Sequence, residues 1–212
     1  MKPQDLQTLA QAALTPNPGI TMTKENHAEQ QAAAQYESIV SMLDALDADY
    51  DRLEELKDER QELIEAVTEA ETNHAEAVRV RAGDVDAYHA LDEARAALSN
   101  WEEDNSEELE ELTAAAGECA DEDEARDRIT EDPLEVQVRS DWTNPGDELT
   151  PGEFMILLCT GGPAVRIVGE LDQHGEPCRA WMEYQDWGTP WTQYWGATSS
   201  TLCRYASHFF GG

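Results

Sequence analysis

Cys159, Asp172 and His174 are the residues whose types match a nucleophile, an orienting carboxylate and a base. Covalent catalysis needs such groups joined in a hydrogen-bonded relay. Their spacing pairs no nucleophile with a base, so no catalytic residue is assigned and no enzyme is expected. His174 and Cys178 lie close in sequence, but the further ligands of a zinc site would have to come from distant residues, without a second closely spaced pair. The acidic runs lack the glycine-bearing spacing of a calcium loop. No metal site and no cofactor is expected.

A second group of residues could bind rather than react. Glu102, Glu103, Asp104, Glu107, Glu108, Glu110 and Glu111 form the densest acidic cluster, and Asp121, Glu122, Asp123 and Glu124 form another. Carboxylates packed this closely attract a Lys/Arg-lined groove and speed encounter with it. The plain alternative is a solvated helix face, because charge runs are usually solvation. A third group is aromatic. Trp187, Trp191 and Trp195 stand in QDWGTPWTQYW, after Trp181 and Tyr184. Aromatics in a Pro/Gly loop make good protein-contact anchors. Their alternative role is to cap a thin sheet core, which is the favoured reading for Trp181. Nothing basic accompanies them, so base stacking is disfavoured.

The chain holds 46 Asp+Glu against 14 Lys+Arg, a formal net charge of −32. Residues 1–132 carry 36 of those acids and 10 of the bases, so the excess is concentrated upstream. A charge of this size repels itself and destabilises the compact state. A basic partner would account for it; so would solubility in high salt, which predicts acid over the whole surface. An acidic surface is also repelled by anionic lipid, and no apolar stretch has spanning length. The four cysteines, Cys119, Cys159, Cys178 and Cys203, form no CxxC pair. A reduced, cytoplasmic protein without a membrane role is expected.

These residues need elements to hold them. Residues 1–22 read as a tail, a short helical piece ending in TPNPG. From Thr23 to Arg81 there is neither Gly nor Pro. Ile39, Leu46, Leu53 and Val67 mark one heptad line, interrupted by Arg60; Met42, Leu56, Leu63 and Ala70 mark another, interrupted by Asp49. Gly83 and Asp84 read as a stop and a start. Tyr88, Leu91, Leu98 and Trp101 face a second helix, and Asn105 with Glu108 resembles a capping box that restarts it. A short acidic helix from Asp121 to Thr130 precedes Pro133. An acidic antiparallel helical hairpin is therefore expected over 23–132, with dimerisation along its seam as an option.

After Pro133 the period changes to two. LEVQVR (134–139), FMILLC (154–159), AVRIVGEL (164–171) and CRAWMEYQ (178–185) read as strands of a three- or four-stranded meander. Leu202, Tyr205, Ala206 and Phe209 share one face of a last helix. Cys178 and Cys203 read as core. The fold class is α+β: the hairpin, then a small α+β unit over 133–212.

CTGGPAVRIVGEL and YQDWGTPWT, with DRITEDPLEVQVRSDW upstream and HFFGG downstream, carry a resemblance to a family of acidic proteins encoded by bacteriophages and prophages. It covers about residues 36–60 and 105–212; the interval around 70–100 resembles an insertion. The resemblance implies a phage origin and no chemistry. Small acidic phage proteins without enzymatic motifs resemble inhibitors of host defence, including anti-CRISPR and anti-restriction proteins that imitate DNA. The expectation is an anti-CRISPR-like inhibitor that blocks the channel of a basic nucleic-acid-binding host complex, such as a Cas effector or a restriction or repair nuclease. It would bind no nucleic acid itself. The alternative is a phage assembly protein that homodimerises through its coiled coil.

Overall fold

The computed structural model describes residues 26–80, 85–140 and 142–210. The N-terminal tail and the expected stop and start at Gly83 and Asp84 lie outside the described residues. The elements run α1 (His27–Leu46), α2 (Tyr50–Arg79), α3 (Val85–Ala116), α4 (Glu122–Glu131), β1 (Glu135–Ser140), β2 (Pro151–Cys159), β3 (Ala164–Leu171), β4 (Pro177–Gln185), β5 (Thr192–Tyr194) and α5 (Ser199–Phe210). The class is α+β, with an antiparallel helical hairpin, a meander and a C-terminal helix.

The expected long first helix is two helices. Asp49 does not interrupt a seam; its carboxylate caps α2, accepting the Arg52 backbone N–H at 3.0 Å. Asp47, at the end of α1, takes both arms of the Arg204 guanidinium from α5. Two aspartates with tertiary and capping partners thus end one helix and start the next, without Gly or Pro. The expected restart at Asn105 is absent. The Asn105 amide bonds the Trp101 carbonyl one turn back, and α3 runs unbroken. Glu108, the other half of that motif, instead reaches across to α2.

α2 and α3 form an arm about 45 Å long, at 1.5 Å rise per residue. Protected positions recur every three or four residues apart from one gap at Arg60: Leu53, Leu56, Leu63, Val67, Ala70, His74 and Ala77 on α2, and Leu91, Ala94, Leu98, Trp101, Asn105, Leu109 and Leu112 on α3. Arg60, the polar residue in the seam, is answered by Glu102 at 3.0 Å. Arg95 is answered by Glu71 at 2.7 Å, and the Trp101 indole N–H by Glu59 at 2.9 Å. The seam is thus occupied within the chain.

The change of composition at Pro133 is not a packing boundary. Ala32, Ile39, Met42 and Leu43 of α1 and Ile129 of α4 share one core with Phe154, Ile156, Leu158, Val165, Ile167, Ala180 and Met182 of the sheet and Leu202, Tyr205 and Ala206 of α5. The Asn26 amide bonds the Tyr184 hydroxyl, so the start of α1 is fastened to β4. The Tyr205 hydroxyl donates to Asp132 at 2.5 Å, tying α5 to the end of α4. Burial first, then Asp132, holds that phenol protonated.

The sheet has five antiparallel strands in the order β1-β2-β3-β4-β5, one more than the reading allowed. The extra strand is Thr192–Tyr194, inside the segment read as an aromatic loop. The helices cover one face over β2, β3 and β4. Cys178 is exposed rather than core, and Cys203 is half-buried. Cys178 lies at the register shift between Glu170 and Leu171, where strand alternation no longer protects it.

Candidate functional site

The acidic residues fall into two groups. Those in the first are used internally. Glu102 and Glu108 bind Arg60 and Arg52 across the arm. Glu122 and Asp123 both hold Arg126 one turn along α4. Asp121 caps α4 by accepting the Glu124 N–H at 2.8 Å, and Glu124 accepts the Ala120 N–H at 2.7 Å. These six carboxylates build helix ends and helix pairs.

The second group points outward. Glu103, Asp104, Glu107, Glu110 and Glu111 are exposed, and among the described residues none has an ion pair or side-chain hydrogen bond. Glu103, Glu107 and Glu110 lie opposite the α3 seam, one every 5 Å or so at helical rise. Glu54, Asp58, Glu62, Glu65 and Glu69 make a corresponding exposed stripe on α2. Axes of packed helices lie about 8–10 Å apart, so two rows of carboxylates run along opposite edges of the arm. Arg52, Arg60 and Arg95 are turned to internal acids and do not neutralise those rows.

The three candidate tryptophans do not act together. The Trp187 indole N–H donates to the Gly161 carbonyl at 2.7 Å, so the ring lies across the β2–β3 turn. A Cβ on Gly162 would come within 1.8 Å of that ring, and Gly162 has φ of +94°, so glycine is required there. Trp191 stacks on the Arg166 guanidinium, 4.0 Å from its carbon to the ring centroid. Arg166 donates twice to Glu183, and Glu183 accepts the Trp181 indole N–H. Trp181 therefore lies on the sheet face that the helices leave open, not in the helix-covered core. Trp195 alone stands free, 83 % exposed.

That open face holds a shallow cavity of about 380 Å³ over Met155, Val168 and Trp181, rimmed by Arg139, Arg166 and Glu183. Sequence reasoning missed Trp142, fully exposed beside Leu149 in the β1–β2 loop. Its signal was a lone Trp in a polar Pro/Gly segment. Val136 and Val138 on β1 were also missed, because strand alternation alone does not show which strand the helices fail to cover.

No relay links the candidate catalytic residues. The Asp172 carboxylate accepts the backbone N–H groups of His174 and Glu176, closing the β3–β4 turn. Those two bonds hold it below its ordinary range. Cys159 pairs with the start of β3, whereas Asp172 follows its end. The strand between spans roughly 25 Å. Burial pushes the Cys159 thiol up, away from the reactive thiolate. Among the described residues no three His, Cys, Asp or Glu side chains converge on a possible metal position.

No family model, curated protein or solved structure matches this chain. Among the described residues no helix is long and apolar enough to cross a membrane.

Proposed function

We propose that this protein is a non-enzymatic, phage-encoded inhibitor whose acidic arm occupies the basic channel of a host nucleic-acid-binding defence complex. The observation that supports the reading most is the pair of exposed carboxylate rows along α2 and α3, none of them in an ion pair and Glu65 alone bonded to a neighbour, the Gln61 amide. Their axial spacing of about 5 Å per charge compares with about 3.4 Å of helix axis per phosphate of one DNA strand. The arm thus offers a sparser but linear array of negative charge on a stiff support. The backbone that carries these carboxylates is already ordered in packed helices, which favours affinity over a flexible acidic tail. The residues proposed to meet the partner are Glu103, Asp104, Glu107, Glu110 and Glu111. The six internally used acids set the shape of the arm. Trp195 and the outer face of Trp187 are the aromatic contacts proposed beside it.

The protein would act in the host cytoplasm and bind no nucleic acid itself. Capture of host proteins on the immobilised chain tests this. The reading expects a basic nucleic-acid-binding complex that is released by high salt and displaced by duplex DNA. Capture indifferent to both would remove it. The alternative, an assembly protein, has no free coiled-coil seam on α2 to work with, since α3 covers it; a dimer needs another surface.

A further inference from the structure

We propose that β1 is a self-pairing edge through which two copies of this chain join antiparallel, about a two-fold axis at Gln137, into one continuous sheet. Among the described residues β1 is the outermost strand, bonded to β2 on one side only. Such an edge presents a row of unpaired backbone groups and is usually blunted by shortness, bulges or obstructive charge. Here Val136 and Val138, on the helix side of the sheet, are 39 % and 53 % exposed, because the helices stop at β2. Leu134, Trp142 and Leu149 extend the apolar exposure at either end of the strand. Exposed apolar side chains gathered along one sheet edge suit an interaction site.

The sequence of the strand says what covers it. Residues 135–139 read Glu-Val-Gln-Val-Arg. Laid antiparallel on itself about Gln137, this segment sets Glu135 opposite Arg139 at both ends, Val136 opposite Val138 twice, and Gln137 opposite Gln137. Opposite charges and β-branched pairs directly across a ladder are each stabilising. The facing residues also have the same parity along the strand. Backbone groups that β1 turns outward therefore meet outward-turned groups of the second copy. Two-folds at Val136 or Val138 keep the parity but leave Glu135 and Arg139 unmatched. Arg139 already holds Glu153 of β2, yet its side chain is 77 % exposed, which leaves room for a second carboxylate. The contact is isologous, as a closed dimer requires.

The proposal is independent of what the arm binds, and salt separates the two. Screening relieves repulsion between two chains of net charge −32, so self-association tightens as salt rises, whereas capture by a basic channel weakens. The test is the mass of the full chain by sizing with light scattering, across a salt series, with circular dichroism as the control for folding. The wild type is expected to run as two chains. Arg139→Glu should give a folded single chain, and the double swap Glu135→Arg with Arg139→Glu should restore two. Because Arg139→Glu also disturbs Glu153, a second pair of variants decides independently. Gln137→Lys and Gln137→Glu should each be single chains and should associate when mixed. A wild type that stays a single chain at high salt overturns the proposal, as does a dimer that survives Arg139→Glu and Gln137→Lys. Failure of the swap to restore a dimer, with Gln137 variants that do not associate on mixing, overturns it too.

Discussion

Arg52 of α2 forks onto Glu108 of α3, its Nε and one terminal nitrogen each 3.0 Å from a separate carboxylate oxygen. This bidentate pair sits where the arm leaves the core, two turns before Arg60 meets Glu102. It fixes which residues of the two helices face each other, and so which acids are left outside. Arg52→Glu should splay the arm at its base, seen as faster amide exchange in α2 and α3 with little change in β2–β4. Reversing both residues should recover protection, because the fork geometry has no direction. Equal exchange in wild type and single variant would remove the pair from the account.

Beyond Leu56, α2 packs chiefly on α3, whereas the shared core lies in α1, α4, α5 and the sheet. Replacing residues 64–98 with a short Gly/Asn turn should therefore leave the cooperative melting of the body nearly unchanged. In contrast, Ile39→Ala should cost about 2–5 kcal/mol, since that side chain is fully enclosed between α1 and the sheet. Chemical denaturation of both variants measures the contrast. A large loss from shortening the arm would mean that arm and body fold as one unit.

Gly162 and Trp187 form a lock at the β2–β3 turn. Gly162→Ala places a methyl group where the Trp187 ring lies, at a backbone angle that L-residues rarely adopt. The expected loss is about 1–3 kcal/mol, of the size found for strained backbone positions. Its signature is a shift in tryptophan fluorescence as the Trp187 indole leaves the Gly161 carbonyl. Unchanged emission with full stability would contradict the lock.

Acid should weaken the fold in two steps. Burial, then the charges of Arg204 and Arg126, holds His208 below its ordinary 6.5. A group depressed in the folded state stabilises above its unfolded value and loses that contribution as pH falls through the folded one. The first step therefore begins near 6.5 and is absent in His208→Gln. The second begins in the ordinary carboxylate range. There the unfolded chain takes up protons, while Asp47, held down by the Arg204 hydrogen bonds, Glu108, held down by Arg52, and Asp172, held down by backbone N–H groups, protonate in the folded chain only at lower pH. Melting temperature against pH for the wild type and His208→Gln gives both steps; identical curves would refute the assignment to His208.

Much of this fold is legible in the chain because the patterns are local. The alternation in AVRIVGEL gives β3 its buried Val165 and Ile167, and the i, i+3, i+4 spacing of Leu202, Tyr205 and Ala206 gives α5 its buried face. The break at Asp47–Asp49 is less legible, since one of its two causes is Arg204, distant in sequence. The same holds for Glu102 and Glu108. In the sequence they are equal members of an acidic run; only the opposite helix, bearing Arg60 and Arg52, distinguishes them from Glu103 and Glu107. Trp191 was legible as an aromatic anchor but not as the lid over Arg166, because the cation comes from β3 and the ring from the segment just before β5.

The measurement closest to the central claim compares capture of host proteins by the wild type and by a variant with Glu103, Glu107, Glu110 and Glu111 changed to Gln and Asp104 to Asn. These five side chains have no internal partner, so the variant should fold and melt as the wild type does. The account predicts that a basic nucleic-acid-binding complex, held by the wild type at low salt and displaced by DNA, is lost from the variant. The same complex retained by the folded variant with undiminished affinity would contradict it.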